Sequence, residues 1–184
     1  APACSFLDPT YTFTVNAKHT AAGVADAFNH ICEQYFTSPN CDVTDGLCET
    51  LFKTLIKYAP IALVHPGDYK ARAELMYACT FGCNGSLALG AGISNWPMHS
   101  IEHALSAYYD ITHGEGLAII TPWWMRHVLN GSTLPRFVKF GINVFGIDAS
   151  LPEPEIARQA IDATARFFVE LGIPMRLRDV GIDE

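Results

Sequence analysis

Apolar positions recur at three- and four-residue spacing along most of this chain, a pattern that predicts helices. The first such stretch runs from about residue 16 to residue 36, with Asn16 in the position of an N-cap. Its apolar stripe consists of Val24, Phe28, Ile31 and Tyr35. Asp26 and His30 share another face of the same predicted helix. The first predicted helix is therefore amphipathic and carries two polar side chains one turn apart.

The same periodicity predicts further helices over residues 43–64, 68–89, 116–129, 134–145 and 153–171, and one more that begins near Asn95 or Pro97. An Asn-Gly-Ser turn at 130–132 separates two of them. Residues 3–15 are aromatic and β-branched around an Asp-Pro break, which indicates an extended segment. Because alternating strand patterns are absent, we expect an all-α, multi-helical domain over 1–184 with a short extended N-terminal segment.

The composition indicates a globular protein and argues against some classes of partner. The 184 residues are 49% hydrophobic and 17% charged, which suits one globular domain with a substantial core. A net charge of −7 with scattered Lys and Arg argues against nucleic-acid or anionic-membrane partners. The six cysteines contain no CxxC pair, which favours a reducing, cytoplasmic setting.

An uncharged run over residues 75–101 is too polar and too rich in glycine to predict a membrane span, and indicates a buried helix followed by a turn. Its glycines Gly85, Gly90 and Gly92 lack the Gly-Lys-Ser/Thr or strand context of a phosphate loop. We interpret them as turn and packing residues.

Three of the seven histidines lie in the stretch from Asn95 to Met125. His99 and His103 are four residues apart, so a helix places them on one face with Cβ atoms about 6 Å apart. An unbroken helix would carry His113 about 21 Å beyond His99, too far for one ion. Asp110 and the glycines after His113 are residues that favour helix ends and turns. We therefore expect His113 on a loop that folds back toward His99.

An Asp and a His at i, i+4, such as Asp26 and His30, are usually structural when they stand alone. Together with His99 and His113 they form one carboxylate and three imidazoles, a set suited to Fe²⁺ or Zn²⁺. We interpret Glu33 on the first helix as structural, with contact to a metal ligand as the alternative.

Two other interpretations stay open at this point. His99, Glu102 and His103 spell HxxEH, the pattern of inverted zincin peptidases, in which both histidines bind zinc and the Glu activates water. That alternative leaves Asp26, His30 and His113 without a role. A non-enzymatic helical domain with purely structural histidines is the third possibility.

Two longer motifs resemble a known family. The segments at 19–35 and 98–119 read HTAAGVADAFNHICEQY and MHSIEHALSAYYDITHGEGLAI. They are similar to the two signature regions of the iron-containing (group III) alcohol dehydrogenases, and the segment at 98–119 most resembles the butanol dehydrogenase branch. The LDPTYTF segment at 7–13 resembles that family's domain connection, so the resemblance covers nearly the whole chain.

The resemblance implies a helical C-terminal domain in which Asp26, His30, His99 and His113 hold one divalent metal, iron or alternatively zinc. It implies that His103 relays a proton beside substrate and nicotinamide. The expected reaction interconverts a small primary alcohol and its aldehyde with NAD or NADP, because a divalent ion acidifies the alcohol and polarises the aldehyde. A homodimer is the expected assembly.

The relatives carry an N-terminal nucleotide-binding domain with a Gly-rich loop, and no segment here matches it. We also expect the last helices of the family to lie beyond Glu184. The expected molecule is therefore a fragment that binds metal and is inactive as a dehydrogenase by itself.

Overall fold

The computed structural model describes residues 3–37, 41–89 and 95–183. Seven α-helices occupy the described residues, and no strand occurs there. They are α1 (Ala17–Thr37), α2 (Asp42–Val64), α3 (Tyr69–Cys83), α4 (Pro97–Tyr109), α5 (His113–Val128), α6 (Leu134–Phe145) and α7 (Glu153–Glu170). The prediction of an all-α domain is confirmed. Gly90 and Gly92 lie outside the described residues.

Helix α1 is the centre of the array and packs against α2, α3, α4 and α5. Its apolar stripe is buried, with Phe28, Ile31 and Tyr35 fully excluded from solvent. Phe28 contacts the rings of Phe52 on α2 and Phe168 on α7 at centroid distances of 4.6 and 5.4 Å. Because that stripe is buried in the core, the opposite stripe of α1 can face α4 and α5 with polar groups.

Buried polar groups fix α1 against its neighbours. Asn29 donates to the Ala25 carbonyl over 2.9 Å and accepts a hydrogen bond from the Thr121 hydroxyl on α5. Gln34 donates to the carbonyl of Gly82 on α3 over 2.7 Å. The two bonds to other helices, from Thr121 and to Gly82, fix the rotation and axial position of α1, because a shift of the helix would leave buried polar groups unpaired.

Three local predictions are corrected by the structure. Residues 9–12 form a 3₁₀ turn capped by Asp8, so the segment over 3–15 is not uniformly extended. The helix predicted over 68–89 ends at Cys83, because Gly85 adopts a left-handed φ of 83° and a short 3₁₀ turn follows at Ser86–Ala88. His113 is the first residue of α5 and does not lie on a loop.

The described helices include none that is both long and apolar enough to cross a membrane.

Candidate metal centre

The predicted metal-binding side chains converge where the polar stripe of α1 meets α4 and α5. Asp26 and His30 come from α1, His99 from the first turn of α4, and His113 from the first residue of α5. The connection between α4 and α5 is only three residues long, because Asp110 takes a left-handed conformation with φ 52° and ends α4. This tight turn brings the His113 ring within 5.2 Å of the His99 ring, measured between centroids.

One carboxylate oxygen lies at the centre of the cluster. Asp26 Oδ1 is 3.3 Å from His30 Nε2, 3.3 Å from His99 Nε2 and 3.5 Å from His113 Nε2. Donor atoms of Asp26, His99 and His113 all lie within 4.8 Å of one another. His30 adds a fourth donor beside Asp26, and its ring stacks on that of His99 at 4.8 Å and 9°.

This arrangement fits a divalent transition metal. Ligands that bind one ion tetrahedrally at about 2.1 Å are separated from each other by about 3.4 Å, close to the three distances from Asp26. Imidazole nitrogens with one carboxylate suit Fe²⁺ and Zn²⁺, and the Asp26 charge offsets part of the ion's charge. Asp26 and His113 are partly exposed, so the site is reachable from solvent.

Two buried glutamates orient His99 on α4 and His113 on α5. His99 Nδ1 donates to Glu33, and His113 Nδ1 donates to Glu102. Both carboxylates are fully buried. A histidine that donates from Nδ1 keeps Nε2 as its available nitrogen, and in both rings Nε2 is the atom that faces Asp26.

The cluster is strongly coupled electrostatically. Burial disfavours protonated His99, but hydrogen bonds with Asp26 and Glu33 outweigh it and raise the pKa of His99 to about 9. For His30, burial dominates and lowers the pKa. Burial of Asp26 favours its neutral form, yet the hydrogen bond from His99 and the other imidazoles leave its pKa lowered. The Asp26 carboxylate is therefore anionic, and a metal ion that binds here would displace the proton that His99 Nε2 holds toward it.

His103 lies beside the cluster. It is exposed, and its ring centroid is 6.1 Å from that of His99 and 5.4 Å from that of His113. Donor atoms of Glu102, His103 and His113 also lie within 4.8 Å of one another. However, Glu102 is already in contact with His113 Nδ1, so it does not have the free carboxylate that a zincin base requires.

Residues 113–116, in the first turn of α5, attach the candidate site to α1. Glu115 Oε2 lies 3.3 Å from Lys18 Nζ on α1. Gly114 lies directly against the backbone of Ala22, also on α1. These contacts place the first turn of α5, and with it His113, opposite Asp26.

Sequence reasoning did not assign Glu102 a contact with His113, and it treated Glu33 mainly as structural. A signal for Glu33 existed, since Asp26, His30 and Glu33 follow one another at four and three residues along one face of α1. Trp96 was also missed. Its ring lies 5.5 Å from that of His30 and 5.3 Å from that of His99, and it adopts a left-handed φ of 47° that sequence pattern alone does not predict.

Comparison with known proteins gives consistent matches. The model of the Fe-containing alcohol dehydrogenase family, C-terminal part, matches residues 20–184. NADH-dependent butanol dehydrogenase B of Clostridium acetobutylicum is 53% identical over 186 residues, a match that covers 100% of this chain and 47% of the relative. NADPH-dependent aldehyde reductase YqhD of Escherichia coli is 36% identical over 185 residues, and the match covers 46% of that relative.

Solved structures agree with the sequence matches. NADH-dependent butanol dehydrogenase A of Thermotoga maritima superposes with a TM-score of 0.90 at 35% identity, over 96% of this chain and 44% of that protein. The substrate- and cofactor-free aldehyde reductase YqhD of Escherichia coli also gives a TM-score of 0.90, over 100% of this chain and 48% of that protein. The chain therefore spans about half the length of the relatives it matches.

Proposed function

This chain belongs to the iron-containing alcohol dehydrogenase family, and we propose that it supplies the metal site of an enzyme that interconverts a primary alcohol and its aldehyde. The observation that carries the proposal is the convergence of three imidazole Nε2 atoms on one oxygen of Asp26. A helical domain with merely structural histidines has no need of such a convergence.

Asp26, His30, His99 and His113 are the proposed ligands of one divalent ion, iron or alternatively zinc. When bound, the ion supplies Lewis acidity to the oxygen of an alcohol or aldehyde. Asp26 provides negative charge, and Glu33 and Glu102 keep the Nε2 atoms of His99 and His113 directed toward the site.

His103 is proposed as the group that exchanges the alcohol proton with solvent. It is exposed and adjacent to the cluster, but its ring is not held against Asp26. Imidazole is suited to proton transfer near neutral pH. This role predicts that His103 is dispensable for metal binding.

NAD or NADP is the proposed hydride carrier, since similar proteins are named NADH-dependent butanol dehydrogenases and an NADPH-dependent aldehyde reductase. We propose that a nucleotide-binding domain completes the enzyme and that these 184 residues alone bind metal without turnover. Oxidation of butanol with NAD(P)⁺ by the isolated chain would contradict this. A cytoplasmic homodimer is the proposed state, which sedimentation of the complete enzyme would test.

The proposal is tested by metal content, measured by mass spectrometry after purification without chelator. One ion per chain is expected in the wild type and in His103→Ala, with loss in His99→Ala and in His113→Ala. Retention by His113→Ala together with loss by His103→Ala would favour the HxxEH peptidase instead. Absence of stoichiometric metal from the wild type would favour a non-enzymatic helical domain.

A further inference from the structure

Glu102 is a buried carboxylate that the proposed reaction does not itself use. It lies on α4, three residues after His99, and is fully excluded from solvent. One of its oxygens accepts from the Ser106 hydroxyl, and the other accepts from Nδ1 of His113. Among the described residues, His113 is the titratable group whose side chain hydrogen-bonds to Glu102. A carboxylate in such a place needs polar partners, because burial without them is strongly unfavourable.

A glycine on α5 leaves space for this carboxylate, although glycine has a low helix propensity. Gly116 lies in the first turns of α5, where alanine would favour the helix. A Cβ at position 116 would lie 2.7 Å from Oε1 and 2.8 Å from Cγ of Glu102, closer than side chains pack. Gly116 is therefore required by the position of Glu102.

The contact divides the two nitrogens of His113 between two carboxylates. Nδ1 donates to Glu102, while Nε2 lies 3.5 Å from Asp26 Oδ1. The same division occurs at His99, where Nδ1 donates to Glu33 and Nε2 faces Asp26. A ring held in this way has one tautomer and one orientation, with Nε2 available as a ligand.

We propose that Glu102 is a positioning residue for His113. The Ser106 hydroxyl donates a hydrogen bond to the carboxylate, and Gly116 leaves space for it. The carboxylate in turn keeps the imidazole oriented with Nε2 toward the metal site. The inference rests on the proposed metal function, and it gives the Glu of the HxxEH pattern a role other than activation of water.

Loss of the carboxylate charge should weaken metal binding without unfolding the chain. In Glu102→Gln the amide oxygen can still accept from Nδ1, and the Ser106 hydroxyl can turn to accept from the amide nitrogen. The charge-assisted part of the contact is lost, and changes of this kind lower metal affinity by about 10- to 100-fold. Gly116→Ala should have the same effect by displacing the carboxylate.

The test is Zn²⁺ affinity of the full 184-residue chain, measured by competition with a chromophoric chelator. Glu49→Gln is the matched control, because Glu49 is a buried carboxylate that accepts from the Tyr35 hydroxyl at 3.0 Å and from Asn143 at 2.9 Å, away from the cluster. Gly46→Ala controls for Gly116→Ala, since nothing lies within 4 Å of a Cβ there. Both controls should retain wild-type affinity.

A further measurement detects the tautomer directly. Long-range ¹H–¹⁵N spectra of the zinc-loaded wild type should show a proton on Nδ1 of His113, strongly deshielded by the carboxylate. In Glu102→Gln that resonance should move upfield, while the Nδ1 proton of His99 keeps its shift. A change limited to fold stability would not produce this selective effect.

The possible outcomes distinguish failure of the proposed metal site from failure of the proposed role of Glu102. Failure of the wild type to bind Zn²⁺ would overturn the metal site and this inference with it. Zn²⁺ binding by the wild type, with unchanged affinity in Glu102→Gln and Gly116→Ala, would overturn the inference alone. Should Glu102→Gln fail to fold, the wild-type spectrum still decides, because a His113 without a proton on Nδ1 contradicts the proposed contact.

Discussion

Gly114 lies so close to Ala22 that a Cβ at position 114 would be 1.9 Å from the Ala22 carbonyl oxygen. The obstacle is backbone, so no side-chain rotation can relieve it. Helices α1 and α5 therefore approach each other at this point as closely as glycine permits, one residue after the proposed ligand His113.

The first prediction concerns this contact. Gly114→Ala should lower the free energy of unfolding by about 3 kcal/mol or more, because the overlap forces α5 away from α1. It should also abolish metal binding, since His113 moves with α5. Urea denaturation and metal content measure the two effects. Gly46→Ala, an exposed helical substitution into open space, should be neutral or stabilising by up to about 1 kcal/mol. Equal stability of the two variants would contradict the prediction.

The second prediction concerns Glu33, which accepts hydrogen bonds from the backbone N–H groups of Met98 and His99. Helix α4 has no side-chain cap of its own, because its N-cap residue is Trp96. Glu33→Gln removes a negative charge from this helix N-terminus and should cost about 1–3 kcal/mol of stability.

The matched control for Glu33 is Glu115→Gln, which removes a pairing with the exposed Lys18 and should cost less than about 1 kcal/mol. Urea denaturation of both variants gives the comparison. A smaller loss in Glu33→Gln than in Glu115→Gln would show that Glu33 is not the cap of α4.

The third prediction is a pH dependence away from the metal centre. Burial alone would raise the pKa of Asp45, but hydrogen bonds from Arg136 and Lys139 outweigh it and leave the pKa lowered. A carboxyl group with a lowered folded-state pKa contributes stability above its unfolded pKa of about 3.9 and loses it as the pH falls through the folded value. Asp45→Asn should therefore cost about 2 kcal/mol at pH 7, since it removes the charge-assisted hydrogen bonds from Arg136 and Lys139 while Arg136 keeps its bond to the Tyr35 carbonyl.

The difference between wild type and Asp45→Asn should shrink below about pH 4. Denaturation curves of both proteins between pH 7 and pH 2.5 measure it. A difference that is constant over that range would contradict the assignment.

The fourth prediction uses cysteine reactivity to test the packing. Cys4 and Cys83 are exposed, while Cys32 and Cys48 are buried, and burial raises the pKa of Cys48 to about 12. Iodoacetamide should modify Cys4 and Cys83 at least about 100-fold faster than Cys48, because the thiolate is the reactive form. Peptide mass spectrometry gives the rates, and equal rates in urea-unfolded chain serve as the control. Rapid modification of Cys48 in the native chain would show that α2 is wrongly packed.

Much of the fold follows from periodicity, because α1, α2, α6 and α7 each bury a stripe that recurs along the sequence. The convergence of Asp26, His30, His99 and His113 could be anticipated from spacing and from the resemblance. The helix predicted over 116–129 begins three residues earlier, at His113, and the prediction of a loop at His113 was wrong because Gly114 and Gly116 suggest a turn. Their absent side chains instead accommodate the backbone of Ala22 and the carboxylate of Glu102.

Tertiary contacts account for what the sequence did not predict. In the sequence, Glu33 and Glu102 resemble ordinary acidic residues of helices. Their contacts with His99 and His113 form only when α1, α4 and α5 pack together. The left-handed conformation of Trp96 likewise depends on how α4 is attached at its start, which local sequence does not specify, whereas Asp110 ends α4 where the sequence predicts a stop.

The capping of α4 by Glu33 also implies an order of events during folding. A 13-residue helix without its own N-cap is marginal in isolation, so α4 should become stable only once α1 is formed and docked. Because 65 residues separate Glu33 from Met98, this closure is a long-range and comparatively slow step. We therefore expect His99 and His113 to reach Asp26 late on the folding pathway, and a ribosome-bound chain to gain metal affinity only after the first turn of α5 has emerged.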